Sequence, residues 1–373
     1  MDNNYFKNKK INVLSKSETP FTNANDIYQD GIIPFARDKN NNLWAISGHT
    51  HIGHIGMFKG TCLDDIKEVY PIKTLFRTGH KDYAFSNIDY PENVSARGSI
   101  WPFGLYICPN TNRFFAFFHN ETGWAGEKSQ YDAYGLCEKP RIDSDFRHIG
   151  LMHSDDEGRT WSFDRWIITS EKVCYTNLYK PEDNIGEGQN EKIIDLGAGD
   201  FTLFNNPKDD YLYLLYNIIK FDLEERRFAS CDLYIARSRK RKDGVMSDFV
   251  KYYNGSFSEP GVLGKETPIL LNSWHNKMVY NENEKSYLIS STPFNETEKI
   301  VCSDYMSIRE TKDFFNFSDP ICVTVDNKKI GDHYNGIFAF NMVGDPNLII
   351  GNKFTVICCN NGTDVVRYDL EVK

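Results

Sequence analysis

The sequence lacks long apolar runs. No window approaches the roughly 20 consecutive apolar residues that a membrane-spanning helix needs. The N-terminal stretch MDNNYFKNKKINVLSKSETPF has no apolar core of signal-peptide length. These two absences predict a soluble, cytoplasmic protein without a membrane partner.

Excess positive charge is also absent. The formal net charge is −9 and the isoelectric point is about 5.6. The longest basic run is SRKRK, from Ser238 to Lys242, which is typical of a solvated strand edge. Because nucleic-acid binding relies on clustered basic side chains, we expect no nucleic-acid partner.

Paired cysteine motifs are missing as well. The nine cysteines are an odd number with no CxxC spacing, and several lie in apolar strand patterns such as Phe354 to Cys359. This usage predicts reduced core residues and no disulfide framework.

Aromatic and turn-forming residues are abundant, whereas helical periodicity is weak. Phe, Trp and Tyr make up 14% of the chain, a composition that favours short strands joined by turns. A short apolar strand, a polar turn and an aromatic strand recur in five units: IIPFARDKNNNLWAIS, GLYICPNTNRFFAFF, FTLFNNPKDDYLYLLYN, KMVYNENEKSYLIS and IFAFNMVGDPNLIIGNKFTVICC.

The repeats predict an all-β fold, namely one five-bladed β-propeller over residues 1–373. Four units supply four strands each, and the fifth supplies three. A strand near residues 10–15 would complete the fifth unit and close the ring. The expected blades cover residues 22–90, 95–180, 195–258, 270–326 and 332–373. A pair of β-sandwiches is the alternative.

The stretch SDDEGRTW, from Ser154 to Trp161, predicts a structural hairpin turn. Asp156 can accept hydrogen bonds from backbone N–H groups, and Gly158 can adopt positive φ. Trp161 would anchor the returning strand. The role of such a turn is structural, so we expect no catalysis there.

In a propeller, the innermost strands begin at the mouth of a central funnel, and the loops between second and third strands return to it. The strand starts select candidate funnel residues: Asp30, Arg97, Asp200, His275 and His333. Trp101 follows the second of these starts. The loops add the segment GHTHIGH, with His49 and His51, and the long segment from His119 to Arg147, with Glu121 and Trp124. An insertion of that length predicts a lid or pocket wall whose aromatic side chains stack on sugar.

Each candidate also has a structural interpretation. Asp30 is either a turn-capping residue or a funnel carboxylate. The small residues before Asp200 allow close approach of backbone or ligand. His275 is an acid or base beside Trp274, or a packed core histidine. Arg97 binds a sugar or forms an interblade ion pair.

The histidines of the GHTHIGH segment favour substrate hydrogen bonding over a metal site, because no neighbouring Cys or Glu completes a ligand set. We expect no cofactor. Whether a divalent cation binds in the funnel stays an open question.

The segments GDFTLFNNPKDDYLYLLYN and DLYIARS resemble five-bladed glycoside hydrolases of the arabinanase and levanase type. That resemblance implies that Asp30 is the base or nucleophile. It also implies that Asp200 orients the catalytic groups and tunes their proton affinity. In those enzymes a Glu on a later blade is the acid. That Glu is absent here, since the corresponding strand start reads Trp274-His275-Asn276. Neoagarobiose hydrolases are similar in placing a His there, which implies that His275 is the acid.

The Ser154–Trp161 turn resembles the Asp box of sialidases. Sialidases bind their substrate through an arginine in an Arg-Ile-Pro motif, whereas Ile32 precedes Ile33-Pro34 here. The resemblance therefore does not extend to sialidase activity.

The sequence thus predicts a glycoside hydrolase that acts on a carbohydrate chain end. Its catalytic residues would be Asp30, Asp200 and His275, with Glu121 as an alternative acid. His49, His51, Arg97, Trp101, Glu121, Trp124 and His333 would bind substrate. A non-catalytic propeller that binds glycan or protein is the alternative, and the oligomeric state stays open.

Overall fold

A computed structural model describes residues 9–22, 25, 27–49, 54–72, 99–121, 147–170, 192–295, 297–302, 305–325, 327–359 and 365–373. Over these ranges the regular structure is β-sheet, with a 3₁₀ segment at Phe340–Met342 and no α-helix. No helix in the described ranges is long and apolar enough to span a membrane. The all-β prediction is confirmed.

The first strand of the chain lies apart from the sheet that follows it in sequence. Strand β1 (Ile11–Glu18) is followed by a four-stranded antiparallel sheet, comprising β2 (Phe35–Arg37), β3 (Leu43–Ser47), β4 (Ile55–Gly60) and β5 (Lys67–Ile72). β1 does not join this sheet but pairs with the last strand of the chain.

The second and third strand groups form one continuous sheet. The second group contains β6 (Ser99–Ile107), β7 (Phe114–Glu121), β8 (Arg147–Ser154) and β9 (Ser162–Thr169). The third group contains β10 (Ile193–Asn205), β11 (Tyr211–Asp222), β12 (Arg227–Arg239), β13 (Val250–Tyr253) and β14 (Ser256–Pro260). A parallel pairing of Gly197 with Arg147 connects the two groups.

The fourth group is built on β15 (Ser273–Asn281), β16 (Ser286–Asn295), β17 (Ile300–Val301), β18 (Ser307–Thr311) and β19 (Ile321–Cys322). A small ribbon follows, made of β20 (Thr324–Val325) and β21 (Lys328–Lys329).

The fifth group contains β22 (Tyr334–Ala339), β24 (Lys353–Cys359), β25 (Val365–Val372) and β1. Between its first two strands, β23 (Leu348–Ile349) pairs with β15 of the fourth group. The register runs from Ile11 opposite Val372 to Glu18 opposite Val366. The predicted pairing of the N-terminal strand with the fifth unit is therefore observed.

The first strands of the five groups are neighbours in a continuous series. β6 packs against β2 and β10, β10 packs against β15, and β15 packs against β22. Phe338 of β22 contacts Phe35 of β2 edge to face, with ring centroids 5.3 Å apart. Their N-terminal ends therefore gather side chains from all five groups in one place.

The turn between β8 and β9 has the predicted hydrogen bonds. Asp156 accepts from the backbone N–H and the hydroxyl of Thr160, and Gly158 adopts φ 84°. Trp161 donates from Nε1 to the Gly158 carbonyl and is buried. These contacts account for the conspicuous residues of the segment without any catalytic role.

Cysteines described in the structure are free thiols. Four of them, Cys108, Cys231, Cys358 and Cys359, are buried, whereas Cys62, Cys302 and Cys322 are partly exposed. The prediction of reduced core cysteines is confirmed for the buried four.

Candidate functional site

Four of the predicted residues lie at or near the starts of the inner strands. Asp200 was expected to open its strand but is the eighth residue of β10, because that strand begins at Ile193. Asp30 precedes β2, Trp101 lies in β6, Asp200 in β10, His275 in β15, and His333 immediately precedes β22. His51, Arg97 and Trp124 lie outside the described residues, so their predicted roles stay predictions. His49, in the loop after β3, is buried and stacks on Trp101 with ring centroids 5.3 Å apart.

Glu121 was expected in the loop of the long insertion, but it is the buried last residue of strand β7. His119 lies in the same strand, and Arg147 begins β8. The prediction that these residues belong to a lid is wrong. Strand pairing continues to the register Glu121 opposite Arg147, which brings the two side chains together in the sheet.

A closed series of contacts surrounds the centre, in which all links join side chains except the one from the Asp200 backbone N–H to His119. Starting from Asp30, it passes through Trp101, His119, Asp200, Trp274, His275 and Tyr334, and returns to Asp30. Every inner strand or its preceding loop contributes a member. The strands therefore assemble a single polar cluster from residues far apart in sequence.

The carboxylate of Asp30 is bound by other elements and not by its own turn. Tyr334 donates from its hydroxyl to Oδ1 at 2.6 Å, and Trp101 donates from Nε1 to Oδ2 at 3.2 Å. Burial raises the pKa of Asp30, against the lowering effect of the Tyr334 hydrogen bond. The residue as a whole nevertheless keeps some exposed surface.

Asp200 is held as an anion. Its Oδ2 accepts a hydrogen bond from Trp274 Nε1 at 2.9 Å and lies 3.1 Å from Nη1 of Arg147. Burial alone would raise the pKa of Asp200, but Arg147 and the surrounding histidines outweigh it and lower that pKa to about 2. Two carboxylates of one cluster therefore have oppositely shifted proton affinities, a pattern that is typical of catalytic acid and base groups.

The backbone is distorted where Asp200 and His275 lie. Both residues adopt left-handed conformations, with φ 45° and φ 49°. The register of β10 shifts between Gly199 and Thr202, and that of β15 shifts between Trp274 and Lys277. Such bulges redirect side chains and are frequent beside functional sites.

Gly199 makes room for this arrangement. A Cβ atom there would lie 2.5 Å from Nδ1 of His119. That imidazole nitrogen accepts a hydrogen bond from the Asp200 backbone N–H at 2.9 Å. The expectation that small residues before Asp200 permit a close approach is met by the ring of His119.

His275 is buried among aromatic rings. Its imidazole stacks on Trp274, with centroids 4.9 Å apart, and meets the Tyr334 ring edge to face at 4.1 Å. Its Nε2 is buried and has no hydrogen-bond partner among the described residues. Burial lowers the pKa of His275 well below its ordinary value, despite the attraction of Asp200. The imidazole is therefore neutral at pH 7.

His333 lies beside His275, with ring centroids 5.0 Å apart, and is partly exposed. Burial lowers the pKa of His333, against the attraction of Asp30. Together Asp30 and His333 form the part of the cluster that solvent reaches.

A metal could be considered at His119, Glu121 and Asp200, since their ligand atoms all lie within 4.8 Å of one another. However, Arg147 already lies 3.1 Å from a carboxylate oxygen of Glu121 and 3.1 Å from one of Asp200. His119 Nε2 also lies 2.8 Å from Glu121. A cation there would have to displace a paired guanidinium, so we assign no metal to this group.

Several members of the cluster were not predicted as site residues: His119, Arg147, Tyr334 and Asn217. Asn217 accepts a hydrogen bond from the His275 backbone N–H at 3.2 Å. The first two bound the long insertion, and Tyr334 follows His333, so their positions were visible in the sequence. Their roles depend on contacts between strands, which no local pattern encodes.

No protein-family model and no curated protein matches the chain. Similar solved structures include an α-L-arabinanase from Penicillium chrysogenum complexed with arabinobiose, at 10% identity and TM-score 0.45, over 97% of this chain and 98% of that one. An endo-1,5-α-L-arabinanase from Thermotoga petrophila has 12% identity and TM-score 0.47, over 93% and 71%. A GH43 β-1,3-galactosidase has 11% identity and TM-score 0.47, over 92% of each chain. The resemblance to arabinanase-type glycoside hydrolases expected from the sequence is confirmed at this level, without extending to activity.

Proposed function

We propose that the chain is a five-bladed β-propeller glycoside hydrolase, with its active site at the Asp30–Asp200–His275 cluster. The five blades are the five strand groups, and β1 closes the ring by completing the fifth. The observation that carries the function is the opposed environments of two carboxylates joined by one series of contacts. The partial exposure of Asp30 and His333, beside otherwise buried members of the cluster, supports entry of a sugar on that side.

Asp30 is proposed as the general base that activates water. A base works best when its pKa approaches the working pH, and burial moves the pKa of Asp30 in that direction. Its hydrogen bonds to Tyr334 and Trp101 fix the carboxylate without saturating both lone pairs of each oxygen.

Asp200 and Arg147 are proposed to supply fixed charge. The carboxylate stays ionised and stabilises positive charge that develops on the sugar ring in the transition state. It also favours the protonated form of His275 from which the proton is donated. Glu121 is assigned to holding Arg147, because its Oε1 lies 3.1 Å from the guanidinium Nε.

His275 is proposed as the proton donor to the leaving oxygen. The neutral resting imidazole must first take up a proton, and the attraction of Asp200 favours the protonated form. Activity therefore requires Asp30 ionised and His275 protonated, which places the optimum on the acidic side of neutrality.

The test is sugar release from a panel of neutral oligosaccharides. The panel includes arabinan fragments and β-1,3-linked galactosides, chosen from the names of the similar enzymes. We expect Asp30→Asn, Asp200→Asn and His275→Asn to lower kcat/KM at least 100-fold with circular dichroism unchanged. The matched control Asp210→Asn alters an exposed carboxylate and should retain full activity. Full turnover by Asp30→Asn would overturn the assignment.

A non-catalytic glycan-binding propeller is the second candidate. It is favoured by the low proton affinity of His275, which leaves the proposed proton donor uncharged at rest, and by the pairing of Glu121, the alternative acid, with Arg147. Binding of panel oligosaccharides by the wild-type protein, without any release of sugar at pH 4 to 8, would establish this alternative.

A further inference from the structure

The imidazole of His275 is attached to an unfavourable backbone conformation. The residue is left-handed, with φ 49°, and the register of β15 shifts between Trp274 and Lys277. A residue with a Cβ atom keeps such a conformation only where neighbouring groups hold it. The imidazole Nε2 has no hydrogen-bond partner among the described residues, so it does not hold the ring in place. The backbone contacts of this bulge therefore help to decide where the imidazole lies.

The side-chain amide of Asn217 makes three hydrogen bonds to backbone groups around His275. Its Oδ1 accepts from the His275 backbone N–H at 3.2 Å. Its Nδ2 donates to the Ser273 carbonyl at 2.7 Å and to the Asp232 carbonyl at 3.0 Å. Asn217 is 1% exposed. Because the side chain is buried and both of its N–H groups are used, it is not available to bind a substrate.

The place of Asn217 in strand β11 brings it next to the second bulge of the site. In the pairing of β10 with β11, Asn217 lies opposite Gly199, and the register then shifts before Thr202. Asp200 lies within that shift and is left-handed, with φ 45°. Asn217 is therefore adjacent to the bulge that carries Asp200 and bonded to the bulge that carries His275.

Other hydrogen bonds hold the two ends of the β15 bulge. Thr202, in the strand of Asp200, donates from Oγ1 to the Asn276 carbonyl at 2.5 Å. The Asn276 side chain accepts from Ser273 Oγ at 2.6 Å and donates to the Ser273 carbonyl at 2.9 Å. These contacts fix the residues on either side, while Asn217 binds the N–H of His275 between them.

We propose that Asn217 is a positioning residue, which holds the imidazole of His275 in the place from which it delivers a proton. This inference rests on the proposed function of His275 as the proton donor. A donor must lie within hydrogen-bond reach of the leaving oxygen, and a misplacement of about 1 Å lowers the rate on the order of 100-fold. Without the amide of Asn217, the backbone at His275 relaxes toward negative φ and the imidazole leaves its place between Trp274 and Tyr334.

The experiment compares Asn217→Ala with the matched control Asn281→Ala in the full chain. Asn281 is also fully buried and is the last residue of β15. Its Oδ1 accepts from the backbone N–H groups of Asn283 and Glu284, in the hairpin turn after that strand. The control therefore removes a buried amide bonded to backbone from the same strand as His275, without touching the site.

Steady-state kinetics on the oligosaccharide that the wild type cleaves best gives kcat and KM, and crystal structures give the place of the imidazole. In Asn217→Ala we expect kcat to fall roughly 100-fold, with KM within about 2-fold of wild type, because a proton donor acts in the transition state. The imidazole of His275 should lie more than about 1 Å from its wild-type place. Asn281→Ala should match the wild type in kcat, in KM and in the geometry of His275.

Asn217→Ser is the second variant. It keeps a small polar side chain in the buried position but is too short to reach the His275 N–H, so it should have the same kinetic defect. The proposal is overturned if kcat is unchanged in a folded Asn217 variant, or if the imidazole stays within about 0.5 Å of its wild-type place. Failure of both Asn217 variants to fold, while Asn281→Ala folds, would also overturn it, because Asn217 would then serve the fold and not the site.

Failure of the proposed function gives a different result. In that case the wild type itself releases no sugar from the panel, so no kinetic comparison exists. The crystal structures of the Asn217 variants still show whether the imidazole of His275 moves, and an unmoved imidazole overturns the positioning role by itself.

Discussion

The hydroxyl of Tyr334 donates a hydrogen bond to Oδ1 of Asp30 at 2.6 Å, although 304 positions separate the two residues in sequence. This contact joins the fifth strand group to the first. It favours the ionised form of Asp30, whereas burial favours the protonated form. A residue of the fifth strand group therefore lowers the proton affinity of the proposed base, against the larger effect of burial.

Replacing Tyr334 by Phe should shift the acid limb of the pH–rate profile to higher pH. Loss of the hydrogen bond raises the pKa of Asp30, and a base is inactive once protonated. A single lost bond to a charged group corresponds to a shift of roughly one unit in the apparent pKa. The measurement is kcat/KM between pH 4 and 8, with Tyr253→Phe as the matched control at a partly exposed tyrosine of β13. An unshifted acid limb in Tyr334→Phe would show that Asp30 does not limit the rate there.

The fold was more predictable than the site because strand and turn patterns are local. The alternating aromatic strands and the turn at Asp156 depend on residues a few positions apart, and both were predicted. The position of Glu121 was not, because where β7 ends depends on its register with β8 across an insertion of more than 20 residues. The pairing of Arg147 with Asp200 was also unpredictable, since it joins adjacent strand groups through a backbone bulge.

Removing the guanidinium of Arg147 should strongly destabilise the fold. Arg147→Met leaves the buried carboxylates of Glu121 and Asp200 without their cation. Breaking a buried ion pair from one side costs about 3–5 kcal/mol. Urea denaturation at pH 7 measures the free energy of unfolding. The control Arg239→Met changes an exposed arginine and should stay within about 0.5 kcal/mol of wild type. A loss from Arg147→Met no larger than the control's would mean that the pair is not formed.

A buried lysine should make stability rise with pH. Lys277 is 4% exposed, and its Nζ donates to the Met278 carbonyl and to Asn347 Oδ1. Burial lowers the pKa of Lys277 from 10.5 to about 7. Between pH 7 and 10 the unfolded chain therefore binds a proton that the folded chain does not, and stability increases with pH across that window. Below pH 7 both states are protonated, and the full penalty of the buried charge remains.

Lys277→Met tests this directly. Relative to the variant, the wild type should gain on the order of a few kcal/mol in free energy of unfolding between pH 6.5 and 9.5. Urea denaturation at several pH values measures the difference. Lys242→Met, at an exposed lysine, should give a pH-independent difference. If the Lys277→Met difference is equally flat, the ammonium is charged in the folded state throughout.

Deleting the N-terminal strand should destabilise the protein far more than trimming the residues before it. β1 pairs with β25 over its whole length, and Ile11 and Val13 pack against an apolar cluster that the fourth and fifth groups share. Removing residues 1–18 discards those contacts, worth on the order of 2–4 kcal/mol for two partly buried apolar side chains, and exposes the β25 edge to pairing with other chains. Removing residues 1–5 keeps β1 intact and is the matched control. Thermal unfolding followed by circular dichroism, with light scattering for aggregation, should show a lower melting temperature and aggregation for the longer deletion alone. Equal melting curves for the two deletions would remove the support for a ring closed by the N-terminal strand.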